Sequence, residues 1–149
     1  MPNAPSVAGP VRAERQTVVH GRESTRQSYQ RGRMENCIFC NIVAGKIPSR
    51  KVYEDEDIFA FHDIHPIAPV HFLIIPRLHV ASLYDCDLSH QAVLGKIMAL
   101  SGRLAQEQGA REGFRSIVNT GRVGRQEVYH VHVHIIGGPD VLPGMIVRK

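Results

Sequence analysis

Along this chain apolar residues fall mostly in short blocks, and only residues 88–108 sustain a long helical period. There Val93, Ile97, Leu100 and Leu104 recur at spacings of four, three and four, which places them on one face of a helix. Asp87 and Ser89 are both candidates for its N-cap, and Gly109 supplies its end. A shorter helix is predicted from Cys37 to Ala44, closed by Gly45 and barred from continuing by Pro48. The remaining blocks read as strands. Val52–Tyr53 and Ile58–Phe61 flank the acidic run Glu54–Asp57, which suits a hairpin turn. After the Pro66 and Pro69 loop, Val70 to Ile75 is apolar on both faces, as a central strand is. Phe114–Asn119 and Val128–Ile136 complete five strands, and Gly137-Gly138-Pro139 terminates the last. Hairpin-length connections around one long helix predict an α+β domain with a mostly antiparallel sheet and a short N-terminal helix.

Composition alters this picture mainly at the N-terminus. The chain has 149 residues, enough for one domain with its own core, and its 43% hydrophobic content is ordinary. The net charge of +4 is unevenly distributed: residues 1–33 hold six arginines and two acids, leaving twelve basic and twelve acidic residues elsewhere. A nucleic-acid partner would rest on that segment alone, which argues against one. Residues 1–33 read as a disordered basic extension, with Pro2, Pro5 and Pro10 and no strand or helical period. They lack the apolar core of a secretory signal, and their acids and weak amphipathicity argue against a transit peptide. The blander reading is a leader ahead of a domain that starts at Met34. No apolar run approaches the ~20 residues of a membrane span. The three cysteines, Cys37, Cys40 and Cys86, are an odd count without a signal peptide, which fits a reducing, cytoplasmic setting.

The chemistry concentrates in His130, His132 and His134. On a strand these alternate residues share one face ~6.6–7 Å apart, with Tyr129, Val131, Val133 and Ile135 on the other. Burying three imidazoles side by side is costly without a use. One use is metal binding by a His-x-His pair, although the outer rings start ~13 Å apart, far for one ion. The other is nucleophilic catalysis, because imidazole with a pKa of ~6.5 is largely neutral at pH 7 and can attack phosphorus without a separate base.

The sequence His130-Val-His-Val-His-Ile-Ile136 is similar to the signature of the histidine triad (HIT) family. The surrounding Cys37-Ile-Phe-Cys-Asn-Ile-Val43, Ala60-Phe-His-Asp-Ile64, Ala68-Pro-Val-His-Phe-Leu-Ile-Ile-Pro76 and Gly124–His130 resemble its Hint branch, the purine nucleoside phosphoramidases. The resemblance runs from about Met34 to Gly138. It implies a HIT domain over residues 34–149 and a hydrolase that cleaves a P–N or P–O bond at the α-phosphate of an AMP-like purine nucleotide. His132 would be the nucleophile that becomes nucleotidylated. His134 would contact the phosphate and assist the leaving group, and His130 and His71 would complete a histidine set that fixes the ring of His132. Asp63 would hold the ribose hydroxyls, Ile64 the base, and Asn119, Arg125, Gln126 and Glu127 the phosphate surroundings. The resemblance also implies a homodimer through the long helix and a strand, and no cofactor required for catalysis. A structural zinc at Cys37, Cys40, His79 and His130 is a further implication. His62, His65 and His90 read as surface or loop histidines. Two positions depart from the pattern: Arg125 stands where the family often has Gly, and Glu127 where animal members commonly have Ser and bacterial ones Glu. Two rival readings stand beside the hydrolase. One is a nucleotide-binding regulatory protein with little turnover, the other a metal-dependent His-x-His hydrolase.

Overall fold

The computed structural model describes residues 32–146. Residues 1–31, most of the basic extension, lie outside the described residues; residues 32–35 are helical. The elements that follow are α1 (Ile38–Val43), β1 (Lys51–Glu54), β2 (Ile58–His62), β3 (Val70–Pro76), α2 (Gln91–Glu107), β4 (Phe114–Ile117) and β5 (Val133–Gly137). The five strands form one sheet in the order β1-β2-β3-β5-β4, every pairing antiparallel. The described residues adopt the expected α+β class, with the expected long and short helices; the helical turn at 32–35, which begins inside the segment expected to lack structure, is an addition.

Local chemistry explains the boundaries. Cys37 caps α1 in extended backbone, and Gly45 takes φ 74° just beyond it, a left-handed conformation that suits glycine. In the β1–β2 turn Asp55 accepts from the amides of Asp57 and Ile58 at 2.8 and 3.0 Å, and Lys96 of α2 reaches Asp55 at 2.8 Å. The predicted single helix from Leu88 divides in two: Leu88–His90 is a 3-10 turn with a capping box on Asp87, and the α-helix proper starts at Gln91.

The sheet sorts its side chains by alternation. Ile58, Ala60, Phe72, Ile74, Val133 and Ile135 face α2 and pack with Ile97 and Leu104, while Val93 and Leu100 lie partly buried beside them. Phe59, Phe61, Leu73 and Ile75 face the other way and receive Phe39 and Ile42 of α1. Because His71 pairs with Ile136 and Leu73 with His134 in the β3–β5 ladder, both histidines fall on the α1 side.

One prediction needs correcting. The strand expected from Val128 begins only at Val133, and residues 128–132 are irregular. The ladder's last pair is Ile74 with Val133, and the next positions of β3 reach Pro76, which has no amide proton to donate. Upstream, the amide of Val131 turns to the carbonyl of Val80 at 2.7 Å. Asn119 likewise lies past the end of β4. Among the described residues, no helix is long and apolar enough to cross a membrane.

Candidate active site and metal set

The three histidines do not form a row of equivalent rings, because each is held by a different partner: His130 and His134 by residues distant in sequence, His132 by a neighbouring carbonyl. His132 is buried, and its Nδ1 lies 2.7 Å from the carbonyl oxygen of His130. A carbonyl only accepts, so Nδ1 carries the proton and Nε2 is left with a free lone pair. The Phe39 ring packs perpendicular to this imidazole at 5.2 Å between centroids, and the His134 ring lies 5.0 Å away.

His134 is set through His71. The amide of Ile67 donates to His71 Nδ1 at 3.1 Å, which puts the His71 proton on Nε2. That Nε2–H faces His134 Nδ1 at 2.9 Å, with Asp63 Oδ2 at 3.3 Å as a second acceptor. His134 Nδ1 is therefore an acceptor, and its own proton lies on Nε2. A backbone amide thus determines, through two rings, that His134 presents a donor. Asp63 is held by the amide of His65, which donates to Oδ1 at 2.8 Å. His71 therefore reaches His134 rather than His132, and His130 holds His132 by its backbone rather than its ring.

Burial keeps these rings neutral. It lowers the pKa of His132, opposed by the nearby acids Asp63 and Glu127, and lowers that of His71. Burial, with His132 and His71 adding to it, takes His134 down to about 4.

The loop before the triad is pinned by Gln126, whose amide donates to the carbonyls of Ala81 and Val128 at 2.7 and 3.0 Å. Its oxygen accepts from the Gly121 amide at 3.0 Å. Gln126 is thus a buried anchor, whereas Arg125 and Glu127 on either side are exposed. Arg125 has φ 58°, the only positive value on a non-glycine residue among those described. Asn119 is half-buried, and Ile64 is 83% exposed next to Asp63.

Cys37, Cys40, His79 and His130 converge, with one ligand atom from each lying within 4.8 Å of every other. His130 Nδ1 is 3.5 Å from both sulfurs and 3.3 Å from His79 Nδ1, which is 3.3 Å from Cys40 Sγ. A tetrahedral zinc with bonds of ~2.3 Å to sulfur and ~2.0–2.1 Å to nitrogen has N–N edges of about 3.3 Å and S–N edges of about 3.6 Å. The donor set fits such an ion. The second ring nitrogen of His130 donates to the Pro76 carbonyl at 2.7 Å, the kind of outer contact that orients a ligating imidazole. Burial takes His130 to about 4 and lowers His79, so both rings are neutral as ligation requires. Burial and the neighbouring Cys37 push the Cys40 thiol up to about 12, so a bound cation would have to displace its proton. Cys86 lies outside this set.

Sequence reasoning did not single out Phe39, the Ile67 amide or the Pro76 carbonyl. Phe39 lies within the quoted Cys37–Val43 motif, but an apolar residue on a short helix reads simply as core. The two backbone groups carry no residue-type signal at all.

Comparison with known proteins places the chain in a family. The family model described as HIT domain matches residues 44–141. The protein HitA of Neisseria gonorrhoeae is 47% identical over 106 residues, 71% of this chain and 99% of that protein. The purine nucleoside phosphoramidase of Escherichia coli (strain K12) is 42% identical over 116 residues, 77% of this chain and 97% of that protein. Among solved structures, a histidine triad protein from Clostridium difficile is 43% identical with a TM-score of 0.70, covering 74% of this chain and 96% of that one. A HIT family hydrolase from Legionella pneumophila Philadelphia 1 is 44% identical with a TM-score of 0.68, covering 70% and 95%.

Proposed function

We propose that this chain, which belongs to the HIT domain family, is a hydrolase that cleaves a P–N or P–O bond at the α-phosphate of a purine nucleotide through a covalent intermediate on His132. The observation that carries this reading is the bond from His132 Nδ1 to the His130 carbonyl, which leaves a neutral, buried Nε2 free to attack. The names of similar proteins, including a purine nucleoside phosphoramidase and a HIT family hydrolase, support the substrate and reaction class.

For an AMP-amide the chemistry runs in two displacements. His132 Nε2 bonds to phosphorus as the P–N bond breaks, and the departing nitrogen leaves as the free amine with a proton from solvent. The modified ring then carries positive charge, which the His130 carbonyl and the acids Asp63 and Glu127 stabilise. His134 donates its Nε2–H to a phosphoryl oxygen, the preorganised donor that such a transition state requires. Water next attacks phosphorus and gives up a proton to solvent, the Nε2–P bond breaks with its electrons returning to the ring, and AMP leaves with His132 restored to its neutral form. In this reading Asp63 receives the ribose hydroxyls, Ile64 covers the base, and Asn119 with the Arg125–Glu127 loop surrounds the phosphate. Cys37, Cys40, His79 and His130 would hold a structural zinc, whose chemistry is cross-linking rather than turnover. The open edge of β4 and the exposed Met98 of α2 suit a homodimer, which sedimentation of the purified chain would reveal.

Incubation with an AMP-amide, a cold quench and mass analysis of the His132 peptide test the reading. An AMP-sized increase is expected in wild type, and His132→Asn should lose both adduct and turnover while still binding AMP. Turnover that a chelator stops, with no adduct at any time, would instead favour a metal-dependent enzyme; AMP binding without turnover would favour a regulatory protein.

A further inference from the structure

His130 takes part in two constellations through different atoms. Its ring lies in the Cys37, Cys40 and His79 set, anchored on its far side by the Pro76 carbonyl at 2.7 Å. Its backbone oxygen receives the Nδ1–H of His132, also at 2.7 Å. The residue is completely buried, so neither end moves without the other. A second connection runs through α1. Cys37 and Cys40 flank Phe39, whose ring packs steeply inclined to those of His132 and His130 at 5.2 and 5.9 Å between centroids. With six residues, α1 is far too short to persist on its own and depends on what ties it to the sheet.

We propose that His130 is a positioning residue that couples a tetrahedral, thiophilic divalent cation to the nucleophile: filling the Cys37, Cys40, His79 and His130 set fixes the His130 carbonyl and the Phe39 ring, and so holds His132 in its Nδ1–H form. Without the ion, α1 is tied to the rest of the chain by apolar packing and by the thiol contacts of Cys37 and Cys40 to His130 Nδ1 at 3.5 Å and of Cys40 to His79 at 3.3 Å. With the set filled, four bonds to one ion cross-link α1, the segment after β3 and the segment before β5. The cation never touches the substrate. It acts on the geometry of the attacking nitrogen, and this rests on the reading of His132 as nucleophile.

The test uses the full chain, freed of metal by chelation and then titrated separately with cobalt and zinc. One equivalent of cobalt should give the intense visible absorption of a tetrahedral thiolate site, and His79→Asn should weaken it. With the chain labelled at histidine nitrogens, one equivalent of zinc should slow solvent exchange of the His132 Nδ1 proton at least tenfold, while His79→Asn stays at the metal-free rate. Formation of the nucleotidyl adduct should accelerate at least fivefold with zinc, and AMP affinity should change less than twofold. Stoichiometric zinc binding that leaves both the Nδ1 proton and the adduct rate unchanged would overturn the coupling, as would failure to bind cobalt at one equivalent. If the Nδ1 proton responds to zinc but no adduct forms in any state, the hydrolase reading falls and the structural coupling stands.

Discussion

The neutral state of His134 has a measurable consequence for stability. Burial lowers its pKa from an ordinary 6.5 to about 4 in the folded chain, while the unfolded chain retains the ordinary value. Above 6.5 neither state holds the proton, so the group contributes nothing to pH dependence. Between 6.5 and 4 the unfolded state binds the proton and the folded state does not, so stability falls as the pH falls. At pH 5 the unfolded imidazole is almost fully charged and the folded one about one-tenth charged, a difference of about 2 kcal/mol. His134→Gln removes the titration and keeps an acceptor for the His71 proton. Urea unfolding of wild type and variant at pH 7 and pH 5, both in chelator, isolates the term. The stability gap between the two proteins should move by about 2 kcal/mol toward the variant on going to pH 5. With a urea slope of ~1–3 kcal/mol/M, that is a relative midpoint change of roughly 1 M. A gap that stays constant between the two pH values would show that His134 is not held neutral by its surroundings, and the donor tautomer inferred for it would lose its basis.

Two further substitutions probe the loop ahead of the triad. A Cβ on Gly124 would lie 2.5 Å from the Thr120 carbonyl oxygen and 2.8 Å from its amide nitrogen, so Gly124→Ala must shift backbone that is pinned by Gln126. It should lower kcat/KM for an AMP-amide at least tenfold while destabilising the fold by only about 1–3 kcal/mol, read from kinetics and urea unfolding; unchanged kinetics would remove this loop from the phosphate site. Arg125, held at φ 58°, carries a conformational cost that glycine does not, so Arg125→Gly should stabilise the chain by about 1 kcal/mol in urea unfolding. Loss of stability would mean that the arginine side chain makes contacts worth more than that cost.

Sequence alone determined whatever depends on local pattern and residue type. The four-three-four spacing placed Ile97 and Leu104 on the buried face of α2, because helical geometry converts spacing into direction without reference to the rest of the chain. Alternation likewise separated the two faces of β2 and β3, and the distributed motifs identified the family. Cys37, Cys40, His79 and His130 were legible as a set only by resemblance, since spacing by itself offered no more than a cysteine pair. What the tertiary structure decided is which atom of each histidine is free. The proton of His71 is assigned by the Ile67 amide, that of His130 by the carbonyl of Pro76, 54 positions earlier, and that of His134 by His71, 63 positions away. The alternation read from sequence puts three imidazoles on one face and treats them as interchangeable, whereas only His134 lies on β5. Hydrogen-bond partners brought in from β3 and its flanking loop set the free atoms of His130 and His134, and the His130 carbonyl sets that of His132, so one ring offers a free Nε2, one a donor and one a candidate ligand. That distinction is set by where backbone amides and carbonyls fall in space, and those groups are the same at nearly every residue of the sequence.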